Sequence, residues 1–324
     1  PAPAQGAAPA PAASAPAAPP PLQRLTVAIV SPSEVFSIPW IGRDTGIFAA
    51  HGFEVEVPLV TGSPRLIQSL VAGDFDYAMA GVTAALRARM QGADPVILAT
   101  SRNDLTQSVV VHPQAGIRTL QDLRGRTIGI SQIGSEADVF LHIALDLAGL
   151  RPDEVSVLQT GGHPQTVAAL ASGNLDAGVL GGANVLKAQQ IGAVKLASGR
   201  ELGVLSPSGI LATTRHAIER DRDRVRRFLR AYVEAVHFYK TQRDATIRIL
   251  QANMGGLSAE EVAFLYDDLN EALPPLPVPR EEALQAVLDR EPDPQARNFK
   301  PGDFLDLSFL QEIEQSGFLA TLYK

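Results

Sequence analysis

Short apolar runs alternate with amphipathic stretches from Leu25 onward, and this pattern predicts strands alternating with helices. LTVAIV, FEVEVPLV and DYAMAG have the length and composition of buried strands, while PRLIQSLVAG and TAALRARMQG have a helical period. Pro39 and Pro64 suit first helical turns, and Gly73 and Gly92 suit helix ends. Single strands alternating with helices are typical of parallel sheets that helices cover on both faces.

The same order of elements recurs 100 residues later. Without a gap, residues 52–93 align with residues 152–193 at thirteen of forty-two positions, where chance gives about three. Asp76/Asp176 and Gly81/Gly181 are among the identical pairs, and VAIVS at 27–31 lies over TIGIS at 127–131. The repeat predicts two α/β lobes of one topology.

After the repeat, SGILATT at 208–214 predicts a strand, and helices are predicted over 215–253, 258–272, 280–289 and 304–322. The segment from Arg215 to Arg230 holds seven Arg and three acids, a pattern typical of a solvated helix face with i to i+4 ion pairs. The PPLPVP run at Pro274–Pro279 predicts a surface linker.

Composition narrows the class of protein. The net charge is −7, and no basic cluster stands without interleaved acids, so neither a nucleic acid nor an anionic membrane surface is expected as a partner. Cys is absent, which excludes thiolate metal sites and cysteine nucleophiles. Residues 1–21 are eighteen Ala or Pro plus Gln5, Gly6 and Ser14, which predicts a disordered spacer, either without a role or serving as a tether.

Small polar residues follow the predicted strands, at the edge where open α/β sheets bind ligands. Backbone N–H groups and the helix dipole at such turns favour an anionic or strongly polar small ligand, although ordinary helix capping explains any one turn alone. The candidate ligand-binding residues in these turns are Ser33, Glu34, Gly62, Ser63, Gly81, Val82, Thr83, Ser131, Gly134, Ser135, Glu136, His163, Gly181, Gly182, Ala183 and Asn184.

Three of these candidates carry ionisable side chains. Glu34 and Glu136 each fall in a first helical turn, where a carboxylate is a normal capping residue. If either faces a cleft, the ligand should carry an amine or ring N–H beside its acidic group. His163 is either a cleft residue or a turn residue before Pro164.

The sequence gives little indication of catalysis. The Gly-x-Ser-x-Gly elbow, the P-loop and a Gly-x-Gly-x-x-Gly that opens a helix are all missing from the sequence. We therefore expect a binding protein rather than an enzyme, with no cofactor and no metal.

PWIGRDTGIFAAHGFEVE at 39–56, LIQSLVAGDFDYAMAG at 66–81 and DLRGRTIGISQIGSEADVFLHIAL at 122–145 resemble the substrate-binding proteins of ABC importers for sulfonates, taurine, nitrate and thiamine-pyrimidine precursors. The resemblance covers about residues 25–240. It implies a type II periplasmic-binding fold, in which two three-layer α/β lobes joined by two crossing strands close around one solute, here with extra C-terminal helices.

The resemblance also implies a division of the chain. Lobe one comprises residues 22–105 and 208–324, and lobe two comprises residues 106–207. The crossings fall near Asn103–Val111, which contains Ser108, and near Gly203–Leu211. The family's loops add Phe36, Pro39 and Trp40 to the ligand candidates, although Trp40 fits core packing equally well.

The function implied is an extracytoplasmic, monomeric receptor that delivers a small polar or anionic ligand to a membrane permease. Two alternatives stay open. One is an enzyme of thiamine-pyrimidine or related metabolism on the same fold, which the absence of Cys disfavours because that branch of the family is cysteine-rich at its active site. The other is a sensory ligand-binding module.

Overall fold

The structure is a computed structural model that describes residues 22–324, so the spacer predicted over residues 1–21 lies outside the described residues. Within residues 22–324, ten strands form two five-stranded sheets. The first sheet has the order β2-β1-β3-β10-β4 and the second β7-β6-β8-β5-β9. The strands are β1 Gln23–Ile29, β2 Phe53–Glu56, β3 Tyr77–Ala80, β4 Pro95–Asp104, β5 Gln107–Val111, β6 Thr127–Ile130, β7 Ser156–Gln159, β8 Ala177–Gly181, β9 Val194–Ser198 and β10 Leu205–Thr214.

Both sheets have the same topology. In the first, β1 pairs in parallel with β2 and β3, and β10 runs antiparallel between β3 and β4. In the second, β6 pairs in parallel with β7 and β8, and β5 runs antiparallel between β8 and β9. The chain passes from the first sheet to the second between β4 and β5 and returns between β9 and β10. The predicted fold of two α/β lobes joined by two crossings is confirmed.

Helices cover both sheets, and the C-terminal third of the described chain is almost entirely helical. The α-helices are α1 Ile38–Asp44, α2 Ile47–Ala50, α3 Ser63–Ala72, α4 Val82–Met90, α5 Glu136–Leu147, α6 His163–Ala171, α7 Ala183–Gln190, α8 Arg215–Arg220, α9 Arg222–Thr241, α10 Arg243–Met254, α11 Ala259–Ala272, α12 Glu281–Arg290, α13 Ser308–Gln315 and α14 Phe318–Leu322. Short 3-10 helices span Glu34–Phe36, Leu120–Leu123, Pro152–Glu154, Pro294–Asn298 and Pro301–Asp303. None of the helices between residues 22 and 324 combines the length and the apolar character that crossing a membrane requires.

The identical pair Asp76/Asp176 has the same local role in both sheets. The Asp76 carboxylate accepts a hydrogen bond from the Thr26 backbone N–H, and the Asp176 carboxylate accepts one from the Thr127 N–H, both at 2.9 Å. Each aspartate lies directly before a buried strand, β3 or β8, and ties the start of that strand to the neighbouring parallel strand. The 100-residue repeat is thus a repeat of structure as well as of sequence.

The long helix α9 packs against the first sheet, and the aromatic ring of Phe228 is its central contact. Phe228 stacks on Tyr77 of β3 with ring centroids 4.0 Å apart and on Phe48 of α2 at 5.4 Å. Offset or edge-on aromatic pairs of this kind stabilise a core by about 0.5–1.5 kcal/mol each beyond their buried area. They hold the C-terminal helices on lobe one.

Four of the seven arginines on α8 and α9 are exposed, as predicted, and Arg226 pairs with Asp223 one turn earlier on α9, but other partners are not local. Arg224 binds Asp76 of the first sheet at 2.5 Å, and Arg226 binds Glu312 of α13 at 2.7 Å. Arg230 lies over the Phe318 ring at 3.8 Å. The exposure of this face agrees with the prediction, but these acidic and aromatic partners come from elements distant in sequence rather than from i to i+4 neighbours.

The PPLPVP segment joins α11 to α12 at the surface, as predicted, and it packs along the exposed edge of β4. The Thr100 N–H donates to the Pro277 carbonyl at 3.0 Å, and the Asn103 side chain donates to the Val278 carbonyl at 3.0 Å. Farther along β4, the Ile97 N–H donates to the Phe304 carbonyl at 2.8 Å. C-terminal segments therefore satisfy backbone groups that an edge strand would leave unpaired.

Candidate functional site

A cavity of about 490 Å³ lies between the two lobes, beside the crossings. Leu105 and Ser206 of the crossing segments form its floor, and both are buried. Its walls come from the N-terminal parts of α3 and α5, from one side of α4 along its whole length and from the C-terminal end of α12. The volume suits a small organic molecule.

The lobe-one wall is built from two strand-to-helix turns. Gly81 precedes α4, and its backbone N–H donates to the Ser63 hydroxyl at 3.0 Å, which ties the start of α3 to the start of α4. Val82 and Thr83 form the first helical positions of α4, whose N–H groups have no acceptor inside the helix. This wall presents hydrogen-bond donors and the positive end of a helix dipole.

The lobe-two wall is the start of α5. Ser135 caps this helix, and the Gly134 N–H donates to the Asp138 carboxylate at 2.8 Å, which fixes the turn. Glu136 is the first residue of α5 and lines the cavity, where its side chain meets solvent between protein walls. The surrounding protein desolvates its carboxyl and raises the pKa of Glu136 above its usual value, opposed by a hydrogen bond from Gln107.

The third wall brings two arginines to the cavity. Arg87, one turn beyond Thr83 on α4, binds the Glu291 carboxylate with its Nε and Nη2 atoms at 3.1 Å. Arg290 donates to the Leu205 carbonyl at 2.8 Å and takes part in no ion pair within residues 22–324. Burial lowers the pKa of Arg290, but an arginine keeps its charge at any physiological pH. Because the Arg290 guanidinium forms no direct ion pair in the described residues, it is available to an anionic ligand.

Six of the predicted site residues line this one cavity, and they come from both lobes. They are Ser63, Gly81, Val82, Thr83, Gly134 and Glu136. Ser108 and Gly182 instead line a smaller cavity of about 160 Å³ on the other face of the crossing strands.

The predicted residues around the first strand-to-helix turn lie in the core of lobe one. Trp40, 4% exposed, and Phe36 pack in the same apolar cluster as the rings on α9, so Trp40 takes the core position that was the alternative to a cleft wall. Pro39 is also buried. Glu34 is buried beneath them and accepts a hydrogen bond from the Ser33 hydroxyl at 2.7 Å. Burial raises the pKa of the Glu34 carboxyl.

The other predicted residues contribute to turns outside the cavity lining. The Ser131 hydroxyl donates to the Ser135 hydroxyl at 2.9 Å, and Gly62 is an exposed cap of α3. His163 opens α6, and burial lowers its pKa. The last group begins α7, where Gly181 and Ala183 are buried and the Asn184 side chain donates to the Gly181 carbonyl at 3.5 Å.

Sequence reasoning missed several residues of the cavity. Arg87 could have been found, because it lies four residues after Thr83 and hence on the same helix face. Arg290, Glu291 and Ser206 give no local signal, since they reach the cavity from elements distant in sequence. The missed lining residues are Pro64, Gln68, Ala84, Arg87, Ala88, Gln91, Leu105, Val139, Ser206, Val287, Arg290, Glu291 and Pro292.

The lobes also touch on the other face of the crossing strands. Lys187 of α7 binds Glu261 of α11 at 3.0 Å, and the Gln190 side chain donates to Glu260 at 3.2 Å. Arg200, which follows β9, binds Glu271 of α11 at 2.6 Å. We call these contacts the α7–α11 interface.

Acidic and imidazole side chains do not converge on a metal site in the described part of the chain, where no three His, Asp or Glu residues are placed to hold an ion. The lobe-one side of the cavity holds helix N–H donors, the Arg87–Glu291 pair and Arg290, and the lobe-two side holds the Glu136 carboxyl. Such a site can bind and orient a small charged molecule.

Comparisons with known proteins find relatives in sequence and solved structures of the same fold. A protein of Brucella abortus (strain 2308), named as a candidate binding protein, is 28% identical over 237 residues, or 69% of this chain and 70% of the relative. The periplasmic aliphatic sulphonate binding protein SsuA of Escherichia coli has the same fold, with 22% identity, a TM-score of 0.70 and coverage of 87% of this chain and 98% of that one.

An enzyme also shares the fold. The desulfurization enzyme DSZB is 18% identical, with a TM-score of 0.65 and coverage of 90% of this chain and 99% of that one. The fold alone therefore does not separate binding from catalysis. Residues 36–245, well over half of the chain, match the family described as NMT1/THI5 like, and this protein belongs to that family.

Proposed function

We propose that this protein is a solute receptor of an ABC importer, in which lobe one (residues 22–105 and 208–324) and lobe two (residues 106–207) close around a small organic anion. The observation that carries the proposal is the cavity, because a helix N-terminus and Arg290 face it from one side and α5 of the other lobe faces it from the opposite side. A ligand that touches both lobes only when they are closed shifts the population toward the closed form.

The relatives support the class of protein. SsuA is named as a periplasmic sulphonate binding protein, and the Brucella relative as a candidate binding protein. We accordingly propose a location outside the cytoplasm, a monomeric receptor and a membrane permease as the partner of the closed form. Sulfonates and carboxylates fit the cavity because their oxygens accept from helix N–H groups and from arginine.

A thermal-shift screen of sulfonates, carboxylates and nitrogen heterocycles tests this proposal. A ligand at 100 times its Kd adds about 2.7 kcal/mol to the free energy of unfolding. Thr83→Phe should fill the cavity and abolish the shift while the Tm of the free protein stays nearly unchanged. Ala50→Phe, on an exposed helix position, is the matched control and should retain the shift.

Recovery of the bound molecule separates receptor from enzyme, the alternative that the shared fold of DSZB keeps open. The proposal predicts that mass spectrometry returns the ligand unchanged after long incubation with the protein. Consumption of the ligand would contradict it, as would a screen in which no anion raises the Tm.

A further inference from the structure

Within residues 22–324, every ion pair that joins the two lobes lies in or beside the α7–α11 interface, and none crosses the larger cavity. Lys187 binds Glu261 at 3.0 Å, and Arg200 binds Glu271 at 2.6 Å. Both cations belong to lobe two, and both acids lie on α11 of lobe one. The charge attraction between the lobes is therefore concentrated on one side of the crossing strands.

Arg200 also reaches the first crossing strand. Its Nε atom donates to the Asp104 carboxylate at 3.1 Å, and its Nη2 atom donates to the Asp268 carbonyl at 2.9 Å. Asp104 is the last residue of β4, and Asp268 lies on α11. One guanidinium, in a side chain that is 27% exposed, thus ties lobe two both to a crossing strand and to a helix of lobe one.

The acids that receive Arg200 are held in place without it. Arg102, whose side chain is 3% exposed, donates to the two oxygens of Asp104 at 2.9 and 2.7 Å and to Asp268 at 2.5 Å. A bidentate pair of this kind fixes the orientation of the carboxylate. Lobe one therefore presents a preorganised acceptor, and Asp104 keeps a cationic partner when Arg200 is replaced.

The larger cavity is open to solvent while these pairs are formed. Gly134, Glu136 and Val139, which line its lobe-two wall, are all exposed. In the proposed receptor, a ligand that contacts both walls requires lobe two to rotate toward lobe one. The interlobe pairs are already at contact distance, so a movement of α7 relative to α11 lengthens them and weakens their attraction.

We propose that Lys187 and Arg200 form an electrostatic latch that stabilises the open arrangement of the lobes and thereby weakens ligand binding. The inference rests on the proposed function, to which it adds the groups that set the equilibrium between the open and closed forms. When the binding-competent form is a minor one, the apparent affinity falls by its fraction, so loss of the latch should strengthen binding.

The chain offers a matched control for the latch. Lys195 binds Glu201 at 2.9 Å beside the smaller cavity, but both residues belong to lobe two. Lys195→Gln therefore removes one positive charge from the same region without breaking a contact between the lobes. If the charge of this region alone mattered, Lys195→Gln would act like Lys187→Gln.

A distance measurement tests the latch without any ligand. The sequence has no Cys, so spin labels can be attached at two exposed positions, with Asp74→Cys on lobe one and Asp146→Cys on lobe two. Double electron–electron resonance should show a broader or shifted distance distribution when Lys187→Gln and Arg200→Gln are added, but not when Lys195→Gln is added. Raising NaCl from about 0.05 M to about 0.5 M should move the distribution of the labelled parent in the same direction, because salt screens partly exposed pairs.

Calorimetric titration of the full chain with ethanesulfonate measures the consequence for binding. The variant with both Lys187→Gln and Arg200→Gln should have a Kd about three- to tenfold lower than that of the wild type, and each single variant should show a smaller decrease. Lys195→Gln should stay within about twofold of the wild type. The ratio of the two Kd values, wild type to double variant, should approach one at high salt.

The outcomes separate the latch from the proposed function. An unchanged distance distribution in the double variant, or a Kd equal to or higher than that of the wild type, would overturn the latch and leave an anion receptor intact. If neither ethanesulfonate nor any other anion of the screen binds, the proposed function fails, while the distance measurement still decides on the latch. Far-UV circular dichroism of each variant verifies that it is folded.

Discussion

Replacing the paired aspartates one at a time tests whether the two lobes depend equally on their shared contact. The Asp76 carboxylate accepts from the Thr26 N–H at 2.9 Å and the Thr26 hydroxyl at 3.2 Å, and it binds Arg224, whose side chain is 15% exposed, at 2.5 Å. The Asp176 carboxylate accepts from the Thr127 N–H at 2.9 Å, but its ion-pair partner, Arg126, lies 3.6 Å away and has a side chain that is 38% exposed.

The magnitudes follow from these contacts. Removing a hydrogen bond to a charged group costs about 1.5–3 kcal/mol. An exposed ion pair adds about 0–1 kcal/mol and breaking a buried pair costs about 3–5 kcal/mol, and the Asp76–Arg224 pair, whose side chains are 25% and 15% exposed, lies between these two cases. We therefore expect Asp76→Ala to lower the free energy of unfolding by about 3–5 kcal/mol and Asp176→Ala by about 1.5–3 kcal/mol.

Trp40 makes the lobes distinguishable in the assay. It is the only tryptophan of the sequence and lies in the lobe-one core, so its fluorescence reports the unfolding of lobe one, while far-UV circular dichroism reports both lobes. In urea titrations followed by Trp40 fluorescence, the unfolding midpoint should decrease more for Asp76→Ala than for Asp176→Ala. Asp146→Ala, an exposed position on α5, is the control and should stay within about 0.5 kcal/mol of wild type. An Asp176→Ala effect on the Trp40 midpoint as large as that of Asp76→Ala would refute the reasoning.

Two further predictions concern buried groups. Burial raises the pKa of Glu34 in the folded state, so the native protein binds this proton more tightly than the unfolded chain does. The free energy of unfolding therefore falls as pH rises from the pKa of the unfolded chain, about 4.3, toward the raised pKa of the folded state. Glu34→Gln should accordingly raise the Tm at pH 8 and lose that gain at pH 4; an equal gain at both pH values would contradict this. Gly181→Ala should cost about 1–3 kcal/mol because the new Cβ displaces the Gln107 side chain, whereas Gly302→Ala, with open space around it, should be neutral in urea titrations.

The repeat and the strand-to-helix turns carried most of the fold prediction, because both are local signals. The spacing of Asp76 and Asp176 placed equivalent strands in equivalent positions, and residues such as Thr83 and Glu136 reached the cavity because the turns after parallel strands share one edge of a sheet. The resemblance supplied the two crossings. The exposed arginine face of α9 was predicted, but a local charge pattern does not identify a distant acid such as Glu312 as a partner.

Non-local packing explains what the sequence did not predict in the site. Arg290 and Glu291 are about 200 residues from α4 and reach it because α12 packs on lobe one, which no period or motif records. Trp40 fitted both a wall and a core, and the aromatic cluster on α9 decides for the core. The contacts of the Gln107 side chain with Glu136 and Gly181 were not predicted, because they join parts of the chain that are distant in sequence.

The α7–α11 interface has a consequence for how tightly any guest is held. Gln107 and Ser108 are neighbours on β5, so their side chains point to opposite faces: Gln107 donates to Glu136, which lines the larger cavity, and Ser108 lines the smaller cavity beside α11. In the proposed receptor, a rotation of lobe two about the crossings would change the larger cavity and the α7–α11 interface together. Whatever free energy Lys187 and Arg200 gain or lose at that interface enters the measured Kd, at about 1.4 kcal/mol for each factor of ten. In the proposed receptor, substitutions at this interface would therefore change the Kd without altering a residue that contacts the ligand.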